Sequence, residues 1–196
     1  MANIVFIRHA PTKLNQEGIF MGSIDCEPDL SLYKDKIEKL IDDLSLFDFS
    51  AIYSSPLIRA LYTAQEVFPK DQIVIEERLK ERSFGSWEGM KKKELKMQFP
   101  EFFDENGNID IHRTPESGEP FSDFRKRVIS FLHDVNLMFK PNENIVVFTH
   151  GGVIALVREF EQERKISTSE KTFSKNVEHL MLYWINITNQ EVGVKK

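Results

Sequence analysis

Residues 6–15, FIRHAPTKLN, set an arginine and a histidine side by side where an apolar run stops. With Asn3-Ile4-Val5 before it, that run is short, β-branched and free of turn residues, which predicts a first strand over residues 3–8. In open α/β sheets, ligands gather just beyond the carboxyl ends of the strands. Arg8 and His9 stand at such an end, so the reading turns on which anion they await.

Working outward, the remaining pattern alternates. Ser31 looks like an N-cap for a helix carrying Ile37, Leu40, Ile41, Leu44 and Phe47 on one face. Ala51-Ile52-Tyr53-Ser54 predicts a second strand, Pro56 opens a helix through Leu61, Ala64, Val67 and Phe68, and Ile73-Val74-Ile75 predicts a third strand. Phe121, Phe124, Val128, Phe131, Val135 and Met138 recur at intervals of three and four, an amphipathic helix. Ile145-Val146-Val147-Phe148 predicts a fully buried strand that runs into Thr149-His150-Gly151-Gly152 and a helix through Val153, Ile154 and Val157. His179 to Ile187 predicts a last strand. Strands alternating with helices imply an α/β three-layer sandwich, a mostly parallel central sheet with helices on both faces. Residues 1–196 form one expected domain, with polar, turn-rich residues 86–120 as a flap-like insertion.

Composition narrows the classes of function. Apolar residues at 41% and charged residues at 29% describe a globular chain that can bury a core. A net charge of −5 leaves no excess of cations for general nucleic-acid binding, though a local basic cleft remains open. Cys26 is alone, which excludes an intrachain disulfide. The opening MANIVFIRHA lacks the basic start and apolar length of a signal peptide, and no stretch approaches membrane-spanning length. A cytoplasmic location with no membrane partner is therefore expected. The oligomeric state is open, and a homo-oligomer is compatible with the sequence.

His9 and His150 each follow a predicted strand, and Arg59 follows the second one in SSPLIR, residues 54–59. If these strands are neighbours, two arginines and two histidines converge on one crevice. Such a cluster is costly unless an anion bridges it. Guanidinium forks match phosphate oxygens in pairs, and Gly151-Gly152 opening a helix adds backbone N–H donors. A phosphoryl group is the expected occupant. Taken singly, an Arg-His pair is noise, a lone His150 is most often a core residue, and Arg59 most often a solvated one.

Arg8-His9-Ala10 with Asn15, Ser54 through Ala60, Leu79-Lys80-Glu81-Arg82-Ser83-Phe84-Gly85, and Thr149-His150-Gly151-Gly152 together resemble the histidine phosphatase superfamily, also called phosphoglycerate-mutase-like. The resemblance implies a phosphate pocket at the carboxyl edge of the sheet. It places the nucleophilic histidine on His9, the pocket residues on Arg8, Asn15, Arg59 and His150, and the proton donor on Glu81. A neutral imidazole attacks phosphorus without a strong base, provided its other ring nitrogen is held by an acceptor. Arg8, Arg59 and a protonated or donor-form His150 would stabilise the equatorial oxygens, and Glu81 would protonate the leaving oxygen and then activate water. Without that context, Glu81 reads as a surface partner of Lys80 or Arg82.

The five histidines, at 9, 112, 133, 150 and 179, form no ligand-spaced cluster with Cys26, so neither a metal nor another cofactor is expected. His133 and His179 read as structural, while His112 and Arg113 are candidates for a substrate contact from the flap. Lys91-Lys92-Lys93 reads as a solvated helix start. Trp87 with Phe99, Phe102 and Phe103 reads as a satellite core more than a specificity pocket. Ala10 replaces the glycine usual in the family, and Phe84 stands where mutases carry tyrosine. His150 is followed by Gly-Gly, as in phosphatases of the α-ribazole phosphate type. The expected activity is hydrolysis of a small phosphorylated metabolite; the alternatives are mutase-type phosphoryl transfer and a non-catalytic phosphate-binding module.

Overall fold

The computed structural model describes residues 2–104, 109–110, 113–163 and 177–186. Five strands, β1 (Asn3–Arg8), β2 (Phe49–Ser54), β3 (Ile73–Ile75), β4 (Asn144–Thr149) and β5 (Leu182–Asn186), form one sheet in the order β3-β2-β4-β1-β5. β1 to β4 pair in parallel, and β5 joins the edge of β1 antiparallel. The helices are α1 (Lys13–Gln16), α2 (Lys34–Ser45), α3 (Ile58–Val67), α4 (Lys92–Gln98), α5 (Phe121–Met138) and α6 (Gly151–Glu163).

Both faces of the central strands are buried, which is why β1 and β4 are apolar without alternation. Ile4 and Phe6 of β1, with Ile145 and Val147 of β4, pack against Phe124, Val128, Phe131 and Val135 of α5 and Val153, Ile154 and Val157 of α6. Val5, Ile7, Val146 and Phe148 point the other way, against Ile37, Leu40 and Leu44 of α2 and Ala64 of α3. Each fully buried Ile, Leu, Val or Phe contributes about 1.5–3 kcal/mol relative to an exposed one. The expected helix–sheet–helix layering is thus the observed one.

Local differences have local causes. Ser31 does not cap α2: a 3₁₀ turn at Ser31–Tyr33 comes first, and the Ser31 hydroxyl turns back to Asp29. α3 starts two residues after Pro56, and its first free N–H, on Ile58, is satisfied by Asp25 at 2.8 Å. Ile41, Phe47 and Met138, read as core-facing, are exposed. The last strand begins at Leu182 and not His179, because residues 179–180 make a turn with Leu180 at a positive φ of 58°. Its predicted end at Ile187 lies outside the described residues.

Residues 86–120 carry α4 and short 3₁₀ turns. Trp87 is buried there, with the rings of Phe99, Phe102 and Phe103 at 5.7, 4.7 and 5.9 Å. That is the satellite core the apolar pattern suggests. Among the described residues, no helix is long and apolar enough to cross a membrane.

Candidate active site

Register places the chemistry. Arg8 at the end of β1 is level with Thr149 at the end of β4, and Ser54 at the end of β2 is level with Phe148. Pairing continues one step past each end, through His9 N–H to Thr149 O (3.0 Å) and Ser55 N–H to Phe148 O (2.9 Å). His9, Ser55 and His150 therefore emerge side by side at one edge. The sheet places β4 between β1 and β2, so this edge is also where the chain order switches, the usual position of a crevice.

His9 is buried, and its Nδ1 donates to the Ala10 carbonyl at 2.7 Å. That bond fixes the tautomer and leaves Nε2 as the nitrogen with the lone pair. Burial and then the charges of Arg59, Arg8 and His179 hold its pKa well below the usual histidine value, so the ring is neutral. Ala10, where the resemblance implies glycine, has no positive φ, so the backbone there is open to alanine, and its side chain is buried. Its N–H donates to the Thr63 hydroxyl at 2.9 Å, tying β1 to α3.

Arg59, in the first turn of α3, is buried, and three of its five guanidinium N–H groups donate to protein acceptors. Nε donates to His150 Nδ1 at 3.2 Å, Nη2 to Gly22 O at 2.7 Å, and Nη1 to Ile24 O. A His150 Nδ1 that accepts cannot be protonated, so Nε2 carries the hydrogen and donates to the Ser55 hydroxyl at 2.8 Å. Burial and then Arg59 pull the His150 pKa well down. The protonated form of His150 is thereby excluded and the neutral donor form kept. His150 sits behind the cavity wall, its ring 5.3 Å from that of His9.

Arg8 donates through Nη1 to Val177 O, while its buried Nε has no partner. An unsatisfied buried donor costs about 1–3 kcal/mol, and an anion beside it removes that cost. Burial, more than any neighbour, lowers the pKa of both guanidiniums.

Glu81 follows β3 through the 3₁₀ turn Glu77–Leu79. Its Oε2 accepts the Gly152 N–H at 2.9 Å and its Oε1 the Arg82 N–H at 3.0 Å. The surface-pair reading fails: Lys80 pairs with Glu77, and Arg82 turns its guanidinium to Glu119 O and Thr114. The Gly152 N–H at the start of α6, expected to face a phosphate, is taken by Glu81 instead. Asn15 caps α1 reciprocally with Thr12, its Oδ1 accepting the Thr12 N–H and hydroxyl at 3.1 Å. Its side-chain NH₂ is thereby left as the group for a ligand.

A cavity of about 490 Å³ is lined by Arg8, His9, Asn15, Arg59 and Glu81, together with the apolar side chains of Phe20, Phe84, Leu95 and Phe103. Of the six residues singled out in the sequence, five line this cavity and His150 backs it. Lys92, exposed as the sequence reading has it, also contributes to the lining, where partial desolvation and then the charge of Arg8 lower its pKa. Arg113 is turned away, paired with Asp110 at 3.5 Å and set over the Phe102 ring, and His112 lies outside the described residues. Among the described residues, no group of His, Cys, Asp and Glu is placed to hold a metal ion.

His179 is the residue that the sequence misplaces. Its Nδ1 donates to the His9 carbonyl at 2.7 Å, and its ring meets the His9 ring edge-on at 5.1 Å. The antiparallel pairing of β5 brings the start of that strand to the end of β1, Leu182 opposite Ile7. A sheet read as parallel hides this neighbour. Burial, followed by the charge of Arg8, brings the His179 pKa to about 4, with Lys36 adding to the effect. As pH falls through 6.5, the unfolded chain takes the proton first, so folded stability is full above that value and declines towards pH 4. The window corresponds to about 3 kcal/mol at ~1.4 kcal/mol per pKa unit. His179→Gln should remove about 2 kcal/mol of the stability difference between about pH 7 and about pH 4.5, read by urea unfolding at both. An unchanged difference would refute the assignment.

Residues 4–191 match the histidine phosphatase superfamily (branch 1). The chain is 32% identical over 157 residues to phosphoserine phosphatase 1 of Hydrogenobacter thermophilus, covering 76% of this chain and 71% of that one. It is 29% identical over 153 residues to the adenosylcobalamin/alpha-ribazole phosphatase of Escherichia coli, covering 77% and 74%. Bacillus stearothermophilus YhfR, a solved structure at 25% identity, superposes with a TM-score of 0.81 over 100% of this chain and 96% of its own. A family match across nearly the whole length, on a sheet whose switch point gathers these side chains, makes this protein a member of the histidine phosphatase superfamily.

Proposed function

We propose that this protein is a phosphomonoesterase that hydrolyses a small phosphorylated metabolite through a phosphohistidine on His9. The observation that carries the reading is the His9 ring: Nδ1 is locked on the Ala10 carbonyl while Nε2 keeps its lone pair, in a residue lining a cavity shared with Arg8, Arg59, Asn15 and Glu81. The phosphatases among its relatives support the reaction class.

In this mechanism the Nε2 lone pair forms a bond to phosphorus as the phosphorus–oxygen ester bond breaks. Glu81, entering as the acid, gives its proton to the departing oxygen. The resulting carboxylate takes a proton from water as that water's oxygen attacks phosphorus and the phosphorus–nitrogen bond breaks, restoring both residues. Arg8, with its unpartnered Nε, and Arg59 compensate charge on the equatorial oxygens, the part a cation plays elsewhere.

The test is release of inorganic phosphate from p-nitrophenyl phosphate and a panel of metabolite monoesters, with and without EDTA. We expect turnover that EDTA leaves unchanged, and an acid-labile, base-stable phosphoenzyme on rapid quenching. Phosphoryl exchange between phosphoglycerates without net phosphate release would instead establish a mutase, and no phosphoenzyme at all would establish a binder.

A further inference from the structure

Glu81 sits on a loop, and loops are where positional precision is hardest to keep. A proton donor displaced by an ångström loses much of its effect. The backbone around Glu81 is nevertheless pinned at every step. Arg127, on α5, donates through Nη1 to the carbonyls of Arg78 and Lys80, both at 2.7 Å, and through Nη2 to the carbonyl of Glu81 at 3.1 Å. Thr149, the residue before His150, gives its hydroxyl to the carbonyl between them, Leu79 O, at 2.7 Å. Four consecutive carbonyls, 78–81, are thus held from α5 and β4.

The two remaining Arg127 donors form a paired bond to Glu119, Nε to Oε1 at 2.7 Å and Nη2 to Oε2 at 2.8 Å. All five N–H groups of the guanidinium are committed. Glu119 in turn grips the chain beyond Glu81. Its carbonyl accepts Arg82 Nε at 2.8 Å, its N–H donates to Ser83 O at 2.8 Å, and its Oε2 receives the Ser83 N–H at 3.4 Å. Arg127 itself is anchored between Phe124 and Val128, which are buried against the sheet. Neither Arg127 nor Glu119 lines the cavity.

We infer that the Arg127–Glu119 pair is the positioning element for Glu81, fixing its loop from both sides so that the carboxyl group meets the leaving oxygen. The inference rests on Glu81 being the proton donor. Lysine at position 127 keeps the charge but cannot serve carbonyls and a carboxylate in one planar fork. Its effect should therefore fall on the step that needs the proton.

The experiment measures kcat and KM with an alkyl phosphate and with p-nitrophenyl phosphate for Arg127→Lys, Arg127→Gln and Glu119→Gln, each alone and combined with Glu81→Gln. For Arg127→Lys we expect kcat on the alkyl ester to fall about 10–100-fold, with KM within about 2-fold and a loss under about 3-fold on p-nitrophenyl phosphate, whose leaving group needs little protonation. In the Glu81→Gln background the same change should cost less than about 2-fold. Equal losses on both esters, or the same factor with and without Glu81, would show the pair to be merely structural and overturn the inference, as would failure of all three variants to fold. The Glu81→Gln enzyme separates the two levels. If it keeps full activity on the alkyl ester, the donor assignment itself falls; if it is crippled while Arg127→Lys is not, only the positioning inference does.

Discussion

His9→Ala is expected to lower turnover about 10⁴-fold or more and to abolish the trapped phosphoenzyme, because nothing nearby can take its place. His150 is a neighbouring imidazole, but its Nδ1 is occupied by Arg59 and its Nε2 is engaged with Ser55 behind the cavity wall. His179 spends its Nδ1 on the His9 carbonyl and does not line the cavity. The variant should still fold. From sequence His9 reads as a crevice residue with little burial, whereas the structure buries it, so truncation does leave a void. Against that, the ring lies in an environment made positive by Arg59 and Arg8 and makes one side-chain hydrogen bond, so its removal should cost no more than about 2 kcal/mol. Unchanged circular dichroism with turnover lost is the expected pair of results. Activity within tenfold of the native enzyme would end the assignment of His9 as nucleophile.

Much of the site was legible in the sequence because strand ends are legible. A buried parallel strand is a continuous apolar run, and the residue after the run is by geometry at the sheet edge, which is where Arg8, His9 and His150 stand. Three kinds of feature were hidden. The antiparallel edge strand carries no mark that distinguishes it from a parallel one, so the sequence reads His179 only as a structural residue at the start of a strand. Caps depend on which turn precedes the helix, and Ser31 lost its role to a 3₁₀ turn. Periodicity also identifies the buried stripe of α5 but says nothing of where Arg127 reaches, although its donors hold the loop of Glu81. Long side chains ignore the period of their own helix when a row of carbonyls lies within reach.

The Gly151-Gly152 pair supplies the sharpest test of placement, because its two members are predicted to behave differently. A Cβ added at Gly152 would lie 2.3 Å from Glu81 Oε1 and 3.1 Å from its Cδ, whereas one added at Gly151 would stand 3.4 Å from the nearest atom, in the Arg8 guanidinium. Neither glycine has a positive φ, so alanine is compatible with the backbone at both, and in a helix it is favoured over glycine by about 0.5–1 kcal/mol. Stability should therefore hold or rise in both variants. At position 152 the carboxylate must swing away from the Gly152 N–H, which is easy for a flexible side chain and damaging to a proton donor. We expect Gly152→Ala to lose about 10²–10³-fold in kcat on alkyl phosphates, equivalent to about 3–4 kcal/mol of transition-state stabilisation, and far less on p-nitrophenyl phosphate. Gly151→Ala should stay within about 5-fold on both, since Arg8 yields a few tenths of an ångström without leaving the cavity. An enzyme that tolerates alanine at 152 as well as at 151 would mean that the contact between Gly152 and Glu81 has no part in turnover. A fall in thermal stability at 152 matching the fall in activity would trace the loss to the fold and not to the proton.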